Sequence, residues 1–148
     1  MAADEDPVEL EQVERYEFTV KFGDAPIPPI TVDEPPPVGK NAGPGPVDSL
    51  AMAVGHCMSS TFLNSLERAH VPVGPIRTTV RATIGTNERG RRRVRELSVD
   101  IRTQPLHEED PTRFDHCVEI FEDYCTVSGA VREGVRIASH VGPRDAPP

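Results

Sequence analysis

The N-terminal part of the chain shows the alternation of apolar and polar positions that is typical of β-strands. From Tyr16 to Phe22 every second side chain is apolar, and charged or hydroxyl side chains stand between them. This period of two predicts one half-buried strand over residues 13–22. A turn follows at residues 23–26, and residues 30–32 predict a short second strand.

A second region of alternation predicts a long β-hairpin. The apolar residues of 76–84 share one face of a strand, a turn is expected at 86–90, and residues 97–101 repeat the alternation on the return. Val94 falls out of phase with Leu97. This indicates either a β-bulge or the start of the returning strand.

Between the short strand and the hairpin, the apolar residues follow the spacing of a helix. Pro46 suits the first helical turn, and Asp48 places negative charge beside the positive end of the helix. The pattern continues to about Ala69 and leaves little polar surface, which predicts a buried helix. Gly55 lowers helix stability by roughly 1 kcal/mol relative to alanine. We interpret it as a point of close approach to another backbone.

The C-terminal third predicts two shorter helices and a last strand. Asp110 is expected to cap a helix that begins at Pro111 and ends near residues 124–125. Ser128 is expected to cap a third helix, which Gly134 ends. The residues that predict the last strand are Val135, Ile137 and Val141.

Together these elements predict an α+β fold with the order β-β-α-β-β-α-α-β. We expect one domain over residues 9–142, with a disordered acidic segment at 1–8 and a flexible proline-rich tail at 143–148. Hydrophobic residues make up 36% of the chain and aromatic residues 5%. We therefore expect a second copy of the chain to complete the core in a homodimer.

Charge and hydropathy exclude several classes of partner. A net charge of −8 argues against binding of nucleic acid, and we interpret the arginines of residues 89–95 as a solvated hairpin tip. No apolar stretch reaches the length of a membrane span, and the N-terminus lacks the basic start of a secretion signal. We expect a cytoplasmic protein without a membrane partner.

The chain has three cysteines and no CxxC pair, so it has neither a disulfide framework nor the spacing of a structural zinc site. Cys117 lies on the apolar stripe of the second predicted helix and is expected to belong to the core. Cys57 and Cys125 are open to a redox role or to a packing role.

The histidines do not provide a metal site or a hydrolytic triad. His56 and His116 each precede a cysteine, but adjacent helical side chains diverge by about 100° and do not chelate one ion. The other three histidines have no triad spacing. We expect no metal and no bound cofactor.

Three segments of the chain resemble the OsmC-like family, which contains osmotically induced protein C and organic hydroperoxide resistance proteins. The resemblance covers residues 31–141. It implies an OsmC-like fold in which two chains form an intertwined homodimer, with sheets around central helices and active sites at the subunit interface. The segments are Gly43-Pro-Gly-Pro-Val-Asp-Ser-Leu-Ala with Gly55-His-Cys57, Asn87-Glu-Arg-Gly-Arg, and Phe121-Glu-Asp-Tyr-Cys125-Thr-Val-Ser.

The resemblance also implies cysteine-based reduction of organic hydroperoxides in oxidative-stress defence. Cys57 would attack the peroxide and become a sulfenic acid, and Cys125 would resolve it into a disulfide that an external dithiol reduces. Thiolate and sulfenic acid chemistry supports such a cycle. The two cysteines are 68 positions apart, so only the resemblance brings their sulfurs together.

The chain departs from the hydroperoxide-resistance pattern at two places. Val47 stands where that branch has a glutamate, and the turn at Gly23 and Asp24 offers no arginine to activate the thiolate. Asp48 is then the nearest candidate carboxylate, and its alternative role is a charge at the helix start. Arg15 is the candidate substitute for the arginine, and its alternative role is an exposed charge on the first strand.

These observations lead to two functional hypotheses. The first is a thiol-dependent peroxidase with Cys57 and Cys125 as its redox pair and Asp48 and Arg15 in supporting catalytic roles. Its partners would be a small hydroperoxide and a dithiol or dithiol-carrying protein. The alternative is an OsmC-fold dimer with little peroxidase activity that binds small apolar or reactive molecules in its interface pocket.

Overall fold

The computed structural model describes residues 7–107 and 111–145, and these form two compact units. Of the described residues, the first unit contains 7–56 and 77–102, and the second contains 57–76, 103–107 and 111–145. Secondary structure is mixed, with antiparallel strands and helices, which confirms the α+β class. The predicted single domain over 9–142 stays a prediction.

The first unit begins with a three-stranded antiparallel sheet whose strands lie side by side in chain order. The single strand expected over residues 13–22 is wrong, because the chain reverses at Arg15, whose φ is +51°. An additional strand therefore precedes this turn. Its acidic residues obscured the alternation of apolar and polar positions on which the prediction was based. Residues 1–6, expected to be disordered, lie outside the described residues. The strands are β1 (Val8–Glu14), β2 (Glu17–Phe22) and β3 (Ile30–Val32).

The second sheet of this unit is the predicted hairpin, formed by β4 (Arg77–Thr86) and β5 (Arg92–Arg102). Its register shifts where Thr83 pairs with Glu96 and the next residue pairs with Val94. One extra residue on β5, Arg95, makes a bulge. The bulge returns Val94 to the apolar face of the hairpin and so decides between the two interpretations of its phase. The apolar pairs on this face are Val80 with Val99, Ala82 with Leu97, and Ile84 with Val94.

The long helix α1 (Pro46–Arg68) confirms the helix predicted from the apolar spacing. Its buried side chains recur every fourth residue. A Cβ added to Gly55 would lie 2.7 Å from Val80 Cγ2, so this glycine is indeed a point of close approach. The neighbour is the side chain of a hairpin residue rather than a backbone. The buried apolar side chains of α1 are Val54, Met58, Phe62 and Leu66.

The second unit packs two short helices and a 3-10 helix around aromatic side chains. The ring of Phe62 meets Phe114 edge-on, with the ring centroids 5.8 Å apart. Asp110, the expected cap of the second helix, lies outside the described residues. The elements are α2 (Pro111–Ile120), the 3-10 helix (Phe121–Tyr124) and α3 (Thr126–Glu133).

Helix α3 begins two residues before the predicted cap at Ser128. Its N-cap is Cys125, and it ends at Gly134, where a φ of +84° requires a residue without a side chain. The earlier start is consequential because it places a cysteine, rather than a serine, at the positive end of the helix.

The predicted last strand is absent from the described residues, so the predicted element order is wrong at both ends of the chain. The described order is β-β-β-α-β-β-α-α, with the 3-10 helix before α3. A strand requires a hydrogen-bonded partner, and no described strand pairs with residues 134–145. Ile137 is 88% exposed and Val141 95% exposed. Alternation of residue types alone was therefore misleading here.

Candidate thiol redox site

The second unit brings the sulfur atoms of Cys57 and Cys125 together. Cys57 lies near the middle of α1, and Cys125 lies between the 3-10 helix and α3 with extended backbone angles. The distance between the two Sγ atoms is 3.1 Å, and both cysteines are free thiols. A disulfide bond is about 2.05 Å long, so an approach of roughly 1 Å would bond the two sulfurs. The sequence offered no measure of this distance.

The N-terminal end of α3 faces both sulfur atoms. The backbone N–H of Val127 donates a hydrogen bond to Cys57 Sγ at 3.4 Å. Cys125 is the residue that precedes this helix as its N-cap, and its sulfur lies 3.1 Å from that of Cys57. The first N–H groups of a helix have no partner within the helix and carry partial positive charge. This end of α3 is therefore suited to negative charge on sulfur.

The surroundings of Cys125 lower the pKa of its thiol. Burial alone acts to raise that pKa, since a buried thiolate loses its hydration. The hydrogen bonds from Ser128, Cys57 and Thr61 together outweigh burial, so the pKa falls below the ordinary value for cysteine. The pKa of Cys125 is thus lowered despite the burial of its side chain.

The two sulfurs differ in their access to solvent. Cys125 is only 3% exposed, whereas Cys57 is half-buried. A small molecule that enters from solvent therefore reaches Cys57 first. The catalytic roles expected for the two cysteines, attack by Cys57 and resolution by Cys125, stay predictions.

Cys117 lies apart from this pair and belongs to the core, as predicted. It is 2% exposed, and its Sγ donates a hydrogen bond to the carbonyl of Ser65 at 3.4 Å. Burial raises the pKa of the Cys117 thiol. A thiol in this state reacts slowly and serves packing.

Asp48 lies in the first turn of α1, in the first unit. Its carboxylate accepts a hydrogen bond from the backbone N–H of Gly45 at 3.3 Å, and the side chain is exposed. This contact fits the alternative role, a charge that supports the helix start. A role for Asp48 in the chemistry of the thiols stays a prediction.

Arg15 lies in the tight turn between β1 and β2 rather than on a strand. It lines a cavity of about 210 Å³ in the first unit, together with Tyr16 and Lys40. Lys40 Nζ lies 2.7 Å from a carboxylate oxygen of Glu17 and 3.4 Å from one of Glu14. The catalytic role expected for Arg15 stays a prediction.

The loop that closes this cavity depends on Asp33, which sequence reasoning missed. Its carboxylate accepts backbone N–H groups from Lys40, Ala42 and Glu34, at distances of 2.9, 3.1 and 2.8 Å. These hydrogen bonds, led by that of Lys40, lower the pKa of Asp33. The sequence feature that could have indicated this role is the position of Asp33, an acidic residue directly after a strand and before a proline-rich loop.

The described residues contain neither a cluster suited to a metal ion nor a helix suited to a membrane. No group of three or more histidine, cysteine, aspartate or glutamate side chains in residues 7–107 and 111–145 is arranged to hold a metal ion. Within the same residues, no helix combines the length and the apolar character required to cross a bilayer.

The fold and the site define an α+β protein with a thiol pair, one sulfur carried by a long helix and the other at the start of a later helix. Residues 39–140 match the family model described as OsmC-like protein. The chain belongs to this family, which confirms the resemblance seen in its sequence. No curated protein matches the chain.

Solved structures share the fold at low sequence identity. An OsmC-like protein of unknown function from Vibrio cholerae is 14% identical, with a TM-score of 0.76 over 86% of this chain and 94% of that one. An OsmC-like protein from Mycoplasma pneumoniae is 17% identical, with a TM-score of 0.71 over 89% of both chains. An organic hydroperoxide resistance protein from Elizabethkingia anophelis is 20% identical, with a TM-score of 0.63 over 89% of this chain and 91% of that one.

Proposed function

We propose that this protein is a cysteine-based peroxidase that reduces organic hydroperoxides. The observation that carries the proposal is the 3.1 Å separation of Cys57 Sγ and Cys125 Sγ at the N-terminal end of α3. Membership of the OsmC-like family and the shared fold of a hydroperoxide resistance protein support it.

The reaction divides between the two thiols according to their access. The sulfur of Cys57 attacks the terminal oxygen of the hydroperoxide, the O–O bond breaks, and an alcohol leaves. Cys57 is then a sulfenic acid, and Cys125 attacks its sulfur. A disulfide forms and water leaves, so two thiols and one hydroperoxide give one disulfide, one alcohol and one water.

An external dithiol returns the protein to its reduced state. It attacks the disulfide through a mixed disulfide and leaves with both electrons transferred. The cycle requires no bound cofactor or metal. We expect it to run in the cytoplasm, where cellular thiols are kept reduced.

We further propose that the protein acts as a homodimer, which OsmC-like proteins typically form. Apolar residues of β1 support this proposal because they are more than half exposed in a single chain. An exposed strand edge with such side chains is a natural surface for a second copy. These residues are Val8 at 51%, Leu10 at 58% and Val13 at 61% exposure.

The test is oxidation of the reduced protein with one equivalent of an organic hydroperoxide, followed by thiol trapping and peptide mapping. We expect rapid loss of both thiols, a disulfide between Cys57 and Cys125, and full reversal by a dithiol. Cys57→Ser should abolish hydroperoxide consumption. Cys117→Ser is the matched control and should leave it unchanged. Undiminished turnover by the Cys57→Ser variant would refute the proposal.

A second candidate function is binding of small apolar or reactive molecules by a dimer with little peroxidase activity. Val47 favours it, since the hydroperoxide-resistance branch has a glutamate at this position. Saturable binding of apolar probes by the Cys57→Ser, Cys125→Ser double variant, with no peroxide turnover by the natural protein, would support this function. If the double variant, which lacks both thiols, no longer binds the apolar probes, this second function is contradicted.

A further inference from the structure

The tip of the β4–β5 hairpin concentrates positive charge on an acidic chain. Residues 89–95 contain five of the 16 lysine and arginine residues of the chain and no acidic residue. All five arginine side chains are exposed. We call this surface the arginine tip. Its members are Arg89, Arg91, Arg92, Arg93 and Arg95.

Neighbouring carboxylates do not neutralise the charge of the arginine tip. Elsewhere on the same hairpin, Arg102 Nε lies 2.8 Å from Asp100 Oδ2 and forms an ion pair. In the part of the chain that the structure describes, no ion pair includes an arginine of the tip. The guanidinium of Arg93 instead donates a hydrogen bond to the backbone carbonyl of Arg92 at 2.7 Å. The guanidinium groups of the tip therefore keep donors for an acceptor outside the chain.

The turn that carries these arginines is fixed by hydrogen bonds. The side-chain oxygen of Asn87 accepts the backbone N–H groups of Arg89 at 3.0 Å and of Arg91 at 2.9 Å. Gly90 takes the left-handed conformation that the turn requires, with a φ of +70°. A surface that is formed before binding loses less conformational entropy when it binds.

Near the tip, the hairpin carries arginines and apolar side chains on opposite faces. Ile84 pairs with Val94 on the apolar face, and Ile84 is 39% exposed. The next pair, Gly85 with Arg93, lies on the other face. The stem of Arg95 lies on this second face too, since a Cβ on Gly85 would be 2.8 Å from Arg95 Cγ. The end of the hairpin thus combines cationic and apolar groups.

This combination fits the headgroup layer of an anionic membrane better than it fits nucleic acid. Guanidinium groups bind phosphate oxygens through several N–H donors. Phospholipids and nucleic acids both offer phosphates, but only the phospholipid surface has an apolar layer directly beneath them. The stems of the arginines and an exposed isoleucine both suit that layer.

The net charge of −8 does not prevent such a contact. At physiological ionic strength, interactions between exposed charges are screened over about 8 Å. Strand β4 has 10 residues, so it extends over roughly 33 Å at about 3.3 Å per residue. Charges at the base of the hairpin are therefore screened when its tip meets a surface, and the local charge decides which surface is attracted.

We propose that the arginine tip binds the anionic phospholipid headgroups of a membrane surface, with Ile84 in the layer beneath them. The contact is peripheral, so it requires no membrane-spanning helix. It differs from two expectations drawn from the sequence, a solvated hairpin tip and a protein without a membrane partner. The proposal does not rest on the peroxidase function, because its test uses neither hydroperoxide nor the thiols.

The test is co-sedimentation of the natural protein with two kinds of vesicle. One contains phosphatidylglycerol and phosphatidylcholine in equal parts, and the other contains phosphatidylcholine alone. We expect binding to the anionic vesicles only, with most of it lost between about 0.05 and 0.5 M salt because the attraction is screened. Equal binding to both kinds of vesicle, or binding to neither, would overturn the proposal.

Two double variants compare the tip with the base of the hairpin. Arg92→Gln with Arg93→Gln should weaken binding to the anionic vesicles roughly 25-fold, since each arginine near such a surface contributes about fivefold. Arg77→Gln with Arg81→Gln is the matched control, because it removes the same charge from exposed positions nearer the base. We expect the control to lose less than about threefold. Equal losses in two variants with unchanged melting temperatures would overturn the assignment to the tip.

The apolar contribution and the choice of partner have separate readouts. Ile84→Ser should weaken binding about threefold, whereas Thr83→Ser, at an exposed position on the other face, should not change it. Equal binding by these two variants would overturn the place given to Ile84. A DNA duplex that binds as tightly as the anionic vesicles, with the same dependence on Arg92 and Arg93, would overturn the choice of a membrane.

Discussion

The rings of Phe62 and Phe121 lie 5.1 Å apart between their centroids, in a tilted contact at the base of the thiol site. Phe62 follows Cys57 by five residues on α1, and Phe121 precedes Cys125 by four. The contact thus holds together the two segments that carry the sulfurs. Removal of either ring should affect both the stability of the second unit and the rate of disulfide formation.

We predict that Phe121→Ala destabilises the protein by about 3–5 kcal/mol, since it removes a buried ring and leaves a cavity. Phe121 is 7% exposed, whereas the nearby Tyr124 is 70% exposed. Tyr124→Ala is therefore the control and should change the free energy of unfolding by less than about 0.5 kcal/mol. Urea denaturation provides the measurement. Equal effects of the two substitutions would show that this aromatic contact does not hold the unit together.

Two glycine substitutions should have effects of opposite sign. Gly55→Ala places a Cβ 2.7 Å from Val80 Cγ2, and we predict a loss of about 1–3 kcal/mol from overpacking. Gly129→Ala, inside α3, meets nothing within 4 Å and should gain up to about 1 kcal/mol from helix propensity. Thermal unfolding of both variants measures the difference. Stabilisation by Gly55→Ala would contradict the close approach of the hairpin.

The pH dependence of stability should report the Asp33 loop. Hydrogen bonds from backbone N–H groups lower the pKa of this carboxylate in the folded state. Its contribution is therefore complete above the unfolded-state value of about 3.9 and is lost as the pH falls through the lower folded-state value. Asp33→Asn should lower the melting temperature near neutral pH. The difference in melting temperature between this variant and the natural protein should become smaller in acid. Asp24→Asn, in an exposed turn, is the control. A difference in melting temperature for Asp33→Asn that stays the same in acid would contradict the prediction.

The homodimer proposal predicts different effects for the two faces of β1. Leu10 is 58% exposed in the single chain, so Leu10→Lys should leave the fold intact but weaken association. Glu9→Lys changes the opposite face of the same strand and serves as the control. Sedimentation measurements over a range of protein concentrations give the dimer dissociation constant. A dimer unaffected by Leu10→Lys would place the interface elsewhere.

Much of the local structure was predictable because it depends on neighbours in the chain. The apolar spacing that begins after Pro46 predicted α1, since one helical face requires residues three and four apart. The same reasoning found the hairpin and marked Val94 as a break in its phase. These features follow from periodicity and from the fixed conformations of proline and glycine.

Other features depended on contacts that no local pattern contains. The apolar residues at Ile137 and Val141 alternated like a strand, yet a strand exists only where another strand offers hydrogen bonds. The turn at Arg15 reversed the chain within what looked like one strand. Local patterns identify the residues that are able to form a strand. Hydrogen bonding with another strand decides which of them do.

The thiol site shows most clearly which features depend on local sequence and which depend on tertiary contacts. The sequence by itself determined that Cys57 lies on an apolar helix, that Cys117 faces a core and that Cys125 stands near a helix end. Only the tertiary structure decided that the sulfurs of Cys57 and Cys125 meet and that Val127, at the start of α3, donates its backbone N–H group to Cys57 Sγ. The reason is physical: a pKa and a sulfur-to-sulfur distance depend on atoms far apart in the chain, which packing alone brings together.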